Sequence, residues 1–321
     1  MCVSFQKKGD RDMPQALAYF RGQTVPVSEA KVSIMTHALH YGTAVFEGVR
    51  GNWNQEQGKM FIFRLREHYE RLMRGCRILM MDVHYSVDEL CEITVELVRS
   101  CGYTEDVYIR PIAYKSTELV ANLKLHELDS DFALMVVPFG SYIETEGAIR
   151  CCTSSWRRMD DTNTPSSVKI AGNYINSILA KTEAVLAGFD EGILLNKDGT
   201  VSEGTGENLF LVIDGALHTP PISDNILNGI TRDSVFQLAR NELGLDIIER
   251  HISRSELYLA NELFLTGTAA HVMPVGYVDN RPVGDGEVGP VTGKLRDLYA
   301  SAVRGNSPKY LHWCSAVTME G

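Results

Sequence analysis

The chain of 321 residues has no apolar run long enough to cross a bilayer, and no cationic start followed by a short apolar core. A membrane span and a secretory leader are therefore not expected, and the sequence points to a cytoplasmic protein. Cysteine is sparse and poorly spaced for a framework: seven residues, an odd number, with no C-x-x-C pair. Reduced thiols are the expectation, without a zinc or redox motif. His37-x-x-His40 has no further ligands clustered around it, so packing or hydrogen bonding fits it better than a metal, and no metal site is expected. Basic residues are in deficit, with 31 Lys and Arg against 41 Asp and Glu and a net charge of -10, which argues against nucleic acid as a partner. Internal repeats and low-complexity tracts are missing too. What is present, 44% hydrophobic and 22% charged residues, suits a globular enzyme of more than one domain.

The first half reads as alternating strands and helices. Residues 16–27 suggest two strands about a turn at Gly22. Phe61-Ile62-Phe63-Arg64 suggests a strand delivering an arginine, followed by a helix with Leu65, Tyr69, Leu72, Met73 and Cys76 on one face. Arg64 can fork onto a phosphate or make a surface salt bridge. Ser86-x-x-Glu89 is a capping-box pattern, and Gly102 closes the helix that follows. Residues 107–114 alternate so that Tyr108, Arg110 and Ile112 share one face of a strand. An arginine there needs a counter-anion, either a substrate carboxylate or a structural Asp or Glu. A glycine-bounded polar segment, residues 141–148, is expected to link a smaller α/β domain (1–140) to a larger one (149–321).

The second half centres on Lys169, which stands among small and apolar residues in Ser166-Ser167-Val168-Lys169-Ile170-Ala171-Gly172-Asn173-Tyr174. The run after it, with Ile175, Ile178, Leu179, Thr182, Val185 and Leu186 at helical spacing, predicts a helix that buries this stripe and ends near Gly188. A lysine partly desolvated at the mouth of such a helix suits Schiff-base chemistry; a solvated surface lysine is the plainer alternative. Residues 192–213 then read as a meander of strands, with Glu203 at a strand end. If buried and ionised, Glu203 needs a cation or an N–H donor. Asn228-Gly229-Ile230-Thr231-Arg232-Asp233 opens a helix whose first-turn N–H groups can cradle a phosphate, and Thr266-Gly267-Thr268-Ala269-Ala270 is a small-residue turn with a hydroxyl. Two matches mislead. Ser166-x-x-Lys169 lacks the S-D-N and K-T-G elements of a serine acyl-enzyme, and Gly284-x-Gly286-x-x-Gly289, though it precedes a helix, has no strand expected after that helix to complete a βαβ unit and no acidic residue to open one.

In combination and order, the motifs His37-Ala38-Leu39-His40-Tyr41-Gly42, Phe46-Glu47-Gly48, Tyr108-Ile109-Arg110-Pro111, Lys169 with Gly172-Asn173-Tyr174, Ser202-Glu203-Gly204-Thr205-Gly206-Glu207-Asn208, Gly229-Ile230-Thr231-Arg232-Asp233 and Gly267-Thr268-Ala269-Ala270 resemble the class IV (fold type IV) pyridoxal phosphate aminotransferases. Within that family they look most like the branched-chain amino acid enzymes. The resemblance implies a two-domain α/β (α+β) fold, and transfer of amino groups between branched-chain L-amino acids and 2-oxoglutarate by a ping-pong route. It implies a homodimer or higher homo-oligomer with sites near the interface. Lys169 would bond the pyridoxal 5'-phosphate and shuttle a proton; Glu203 would pair with the ring nitrogen. Tyr174 would bond the ring oxygen, while Arg64, the N–H groups of Ile230 and Thr231, and Thr268 would hold the phosphate. Substrate contacts would come from Phe46, Gly48, Tyr108, Arg110, Thr268 and Ala269, with Tyr41 and Tyr142 nearby. Two stretches depart from the family pattern: residues 114–125 lack the usual glycine-rich loop, and His271 and Gly276 stand where a glutamate and an arginine are common. They leave open a shifted donor range that includes (R)-amines or D-amino acids, with an aminodeoxychorismate lyase as a further alternative.

Overall fold

The computed structural model describes residues 16–140 and 147–319. Two sheets form. The first half contributes β1 (Leu17–Phe20), β2 (Gln23–Pro26), the short helix α1 (His37–Tyr41), β3 (Ala44–Phe46), β4 (Val49–Asn54), β5 (Lys59–Phe63), α2 (Leu65–Ile78), α3 (Val87–Cys101), β6 (Val107–Lys115) and β7 (Ser130–Pro138). The second contributes β8 (Ile149–Arg157), α4 (Tyr174–Leu186), β9 (Glu191–Leu195), β10 (Val201–Gly204), β11 (Asn208–Ile213), β12 (Ala216–Thr219), α5 (Ile230–Leu243), β13 (Ile247–Glu249), β14 (Glu262–Gly267), β15 (His271–Val278), β16 (Arg281–Pro282), α6 (Pro290–Val303) and β17 (Cys314–Thr318). The first sheet runs β17-β5-β4-β6-β7-β1-β2, with β3 also on β6. Its edge strand β17 comes from the far end of the chain and pairs antiparallel with β5, so the two halves are laced together after the 141–148 segment. Most of that segment, 141–146, lies outside the described residues.

Local signals account for the helices of the first half. Ser86 and Glu89 complete the capping box of α3, and Gly102 closes it in the left-handed region at φ 65°. The apolar face of α2, with Leu65, Tyr69, Leu72 and Cys76 all buried, packs with α3 onto the sheet. Gly75 allows α2 to approach β3 closely, since a Cβ there would stand 2.5 Å from Val45 Cγ1.

The second sheet runs β10-β9-β8-β15-β14-β11-β12-β13, with β16 on β15. The expected meander over residues 192–213 holds for β9 and β10, which pair antiparallel, and is corrected at its last step. β10 and β11 follow one another in the chain but do not pair; five ladder steps separate them, about 24 Å in a flat sheet. The Thr205-Gly206-Glu207 link reaches at most about 15 Å from Gly204 to Asn208. The sheet must therefore curl until its β10 edge returns towards β11, and Glu203, Thr205, Glu207 and Asn208 of the 202–208 motif line one hollow. α4 also turns its other face inward from the one expected. Ile175, Ile178, Val185 and Leu186 are exposed, and Asn176, Ser177, Ala180 and Ala184 are buried. Small side chains let the helix lie tight on the sheet, where a Cβ on Gly192 would be 3.2 Å from the Ala180 carbonyl. Ahead of α6, Gly284 and Gly286 take left-handed conformations at φ 57° and 85°, making the expected glycine turn; a strand, β17, does follow α6, against expectation, but it pairs antiparallel with β5 in the other sheet and builds no βαβ unit. Among the described residues no helix is long and apolar enough to cross a membrane.

Candidate active site

Lys169 lies where the two halves meet. After β8 the chain runs through a loop and returns extended against β3: the Phe46 N–H donates to the Lys169 carbonyl at 3.1 Å, and Val45 bridges Ile170. The backbones of Gly42 and Gly172 touch there, and a Cβ on Gly42, which sits at φ 65°, would come within 2.7 Å of Gly172 Cα. Lys169 is half-buried, and its Nζ donates to Tyr174 Oη at 2.8 Å. Tyr174 opens α4, with its ring 4.8 Å from that of Phe46. The serine of the misleading Ser166-x-x-Lys169 match is engaged elsewhere, donating to Asp161 Oδ1.

Glu203, at the end of β10, is buried and multiply held. Oε1 pairs with Arg158 Nη2 at 2.7 Å, while Oε2 accepts from Asn208 Nδ2 and from the Leu227 N–H, each at 2.9 Å. Burial pushes the carboxyl above its usual range, against the pull of Arg158, the Leu227 amide and Lys169. Three donors leave about one of the roughly four acceptor sites of a carboxylate for a group in the crevice. Gly229 makes room for this arrangement, because a Cβ there would fall 1.9 Å from Asn208 Oδ1.

Arg64 caps α2 with a left-handed backbone, φ 50°. Its Nε donates to Glu67 at 2.7 Å, and Nη1 to Asp233 Oδ2 at 2.5 Å and Ser234 Oγ at 3.1 Å. Asp233 and Ser234 belong to the start of α5, so the guanidinium stands beside that helix's N-terminus, and no described residue accepts from its Nη2. Gly229 is the N-cap and offers no side chain to Ile230 and Thr231, whose N–H groups open the helix.

Two connected hollows share Lys169, Tyr174, Gly206 and Glu207. The smaller reaches down to Arg158, Glu203, Asn208 and Leu227. The larger, open to solvent, is walled by Phe46, Gly48, Tyr108, Arg110, Thr268 and Ala269. Gly48 is required by Tyr108, whose hydroxyl would meet a Cβ there at 2.0 Å. Arg110 lies 4.5 Å from the Phe46 ring centre and 5.1 Å from that of Tyr108, and donates to Tyr108 Oη at 3.0 Å. Its Nε is buried without a partner, and no described carboxylate pairs with it.

Six of the eight expected substrate contacts thus line one cavity. Tyr41 does not: it is exposed, and its hydroxyl accepts from the Ala121 N–H at 2.9 Å. Tyr142 lies outside the described residues. His37 is buried with Nδ1 on Thr43 Oγ1 and Nε2 on the Asn122 carbonyl, and no described group of His, Cys, Asp and Glu is arranged for a metal. The departing residue His271 faces Tyr299 rather than the cavity, and burial drives its imidazole down to about 3.

Arg158 escaped the sequence reading, and Asn208 and Glu207 entered it only as members of the 202–208 motif, without a role. The need of Glu203 for a cation was legible, but nothing in the spacing names Arg158 as its source. Glu207 lies inside a recognised motif, yet its exposure to both hollows depends on the curl of the sheet. In chemical terms the crevice offers an amine, a buried carboxylate with one free acceptor, and an arginine beside a helix N-terminus. A phosphorylated aldehyde on a cationic heterocycle finds a partner at each point.

The model of the family described as amino-transferase class IV matches residues 44–278. A probable branched-chain-amino-acid aminotransferase of Aquifex aeolicus is 50% identical, over 94% of this chain and 96% of its own. Among solved structures, the branched-chain aminotransferase of Thermoproteus uzoniensis with norvaline superposes with a TM-score of 0.89 at 42% identity, covering 94% of this chain and 99% of its own. The T.th. branched-chain amino acid aminotransferase, complexed with N-(5'-phosphopyridoxyl)-L-glutamate, gives 0.87 at 41% identity, covering 95% and 99%. With a family match across most of its length and relatives aligned nearly end to end, this chain belongs to the class IV aminotransferases.

Proposed function

We propose that the protein is a pyridoxal phosphate-dependent transaminase that exchanges amino groups between branched-chain L-amino acids and 2-oxoglutarate. The observation that carries the substrate reading is Arg110. It is a guanidinium between two aromatic rings, with no described carboxylate beside it, on the wall of the cavity that Lys169 enters. Aromatic and aliphatic walls cover a branched side chain, and the same arginine pairs the second carboxylate of glutamate when that substrate arrives. The phosphopyridoxyl-glutamate held by the T.th. relative combines these chemistries in one ligand.

Bound here, the cofactor supplies an aldehyde for the amino group and a ring that takes up the electron pair left at the substrate α-carbon. Lys169 holds it covalently at rest and, as a free amine, moves a proton at that carbon. Tyr174 orients Nζ through the 2.8 Å bond. Glu203, fixed by Arg158 and Asn208, keeps a proton on the ring nitrogen through its remaining acceptor site. Arg64, the Ile230 and Thr231 amides and the Thr268 hydroxyl hold the phosphate.

The working unit in this reading is a homodimer or larger assembly. Around α1, Ile34, Leu39 and Leu123 are 79%, 64% and 77% exposed, an apolar cluster that a second copy would cover. Tyr41 faces that side, so its part in catalysis would be at a neighbouring copy's site.

Absorbance of the bound cofactor, followed after mixing with single amino donors, tests the proposal. L-leucine and L-glutamate should both convert it. Exclusive conversion by D-alanine or (R)-1-phenylethylamine would overturn the substrate assignment, and a protein that stays colourless with added pyridoxal phosphate would overturn the site.

A further inference from the structure

Glu47 lies between Phe46 and Gly48, two residues that wall the substrate cavity, but its side chain turns the other way and is fully buried. Both of its oxygens meet the Arg71 fork: Nε to Oε1 at 2.7 Å and Nη2 to Oε2 at 2.8 Å. His68 Nδ1 stands 2.8 Å from Oε2. The remaining arginine nitrogen, Nη1, crosses to the second half and donates to the Asn228 carbonyl at 2.8 Å. Asn228 has Leu227, whose N–H holds Glu203, on one side, and Gly229, the N-cap of α5, on the other. One buried guanidinium therefore touches the chain immediately behind the substrate wall and immediately before the phosphate cradle.

The protonation states are consistent with this geometry. Burial alone would raise the Glu47 carboxyl, but Arg71 and His68 hold it far below the usual carboxylate range, so it stays ionised. Burial pushes His68 below its usual range, so as a neutral ring it donates from Nδ1. Arg71 sits one turn before Gly75 on α2, where the helix lies tightest against β3, and so has little freedom to re-aim its fork.

We propose that Arg71 is a positioning residue that joins the substrate wall to the phosphate cradle through Glu47, so that one side chain sets both cofactor retention and substrate affinity. The inference rests on the reading that the first turn of α5 holds the cofactor phosphate. Arg71→Lys keeps the charge, but an ammonium cannot serve both Glu47 oxygens and the Asn228 carbonyl in the same geometry. Arg71→Met removes the bridge, and Glu47→Gln tests it from the other side should the Met variant fail to fold.

The measurements are the rate at which pyridoxal phosphate leaves the holoenzyme during dialysis against inorganic phosphate, and KM and kcat for L-leucine at saturating cofactor. The expected result is that release quickens and KM rises, each about ten-fold, while kcat stays within about three-fold, because the displaced groups position rather than react. Leu97→Ala, which opens a void in the core beneath α3 and touches neither hollow, serves as a control for loss of stability alone. It should lower the melting temperature without either kinetic effect. Release and KM within two-fold of the parent in all three variants would overturn the proposal. So would faster release with an unchanged KM, or the same paired effect in the Leu97 control. A parent protein that fails to bind pyridoxal phosphate would instead overturn the reading of the site.

Discussion

Glu207→Gln should change how the stability of the protein depends on pH. Glu207 is buried, and its Oε2 accepts from the Gly206 N–H at 3.0 Å. Burial raises its carboxyl first, and the neighbouring Glu191, paired to Lys181 at 2.5 Å, raises it further; the result is about 8, against an ordinary 4.5. The Gly206 amide and Lys181 pull the other way, Glu203 adds to the rise, and Lys169 and Tyr174 share its hollows. Between pH 4.5 and 8 the folded protein keeps a proton that the unfolded chain has released. Its contribution to stability is complete below the lower value and is lost as pH rises, by roughly 1.4 kcal/mol per pH unit. From pH 5 to pH 7 the parent should therefore lose more stability than Glu207→Gln, whose amide does not titrate, by at most about 2–3 kcal/mol. Glu203 contributes in the same direction, and because the two carboxylates raise one another, the difference between the proteins reports the coupled pair. Urea unfolding at four pH values between 5 and 8, with cofactor-free protein in each case, measures that difference directly. Parallel pH profiles for the two proteins would refute the reasoning.

Lys169→Ala should leave added pyridoxal phosphate with the absorbance of its free aldehyde and reduce turnover by at least about 10²–10⁴-fold, the usual share of a positioned proton-transfer group; near-native turnover would remove Lys169 from the mechanism. Arg110→Met should slow the half-reaction of L-glutamate by roughly 10–100-fold, the worth of charge-assisted hydrogen bonds, and leave that of L-leucine within a few-fold. Equal losses for both substrates would contradict the dual-substrate reading. Arg158→Met should strand Glu203 as a buried carboxylate without its cation, lowering stability by about 3–5 kcal/mol in thermal or urea unfolding; a loss below about 1 kcal/mol would show that the pair is not buried in solution.

Much of the local structure was legible because its causes lie within a few residues. Ser86, Glu89 and Gly102 bound α3 by satisfying its terminal groups, and alternation along 107–114 places Tyr108 and Arg110 on the same side of β6. The stretch around Lys169 was also recognisable, since a lysine among small residues ahead of a helix is a local pattern. The inward face of α4 was not legible. Its periodicity announces a helix, but the apolar stripe of Ile175, Ile178 and Val185 points outward, because the face packed on the curled sheet is that of Asn176, Ser177, Ala180 and Ala184.

By itself the sequence determined which segments become helices and strands, and which residue types are available for amine, carboxylate and phosphate chemistry. Only the tertiary structure decided that Arg158 meets Glu203, that Arg71 bridges Glu47 and Asn228, that β17 returns to β5, and that Glu207 opens onto the crevice. The physical reason is range. Capping, pleating and turn preference act over a few bonds and are written locally. Pairing of buried charges is settled by which elements the curl of a sheet brings within hydrogen-bonding distance, and that depends on the packing of the whole chain.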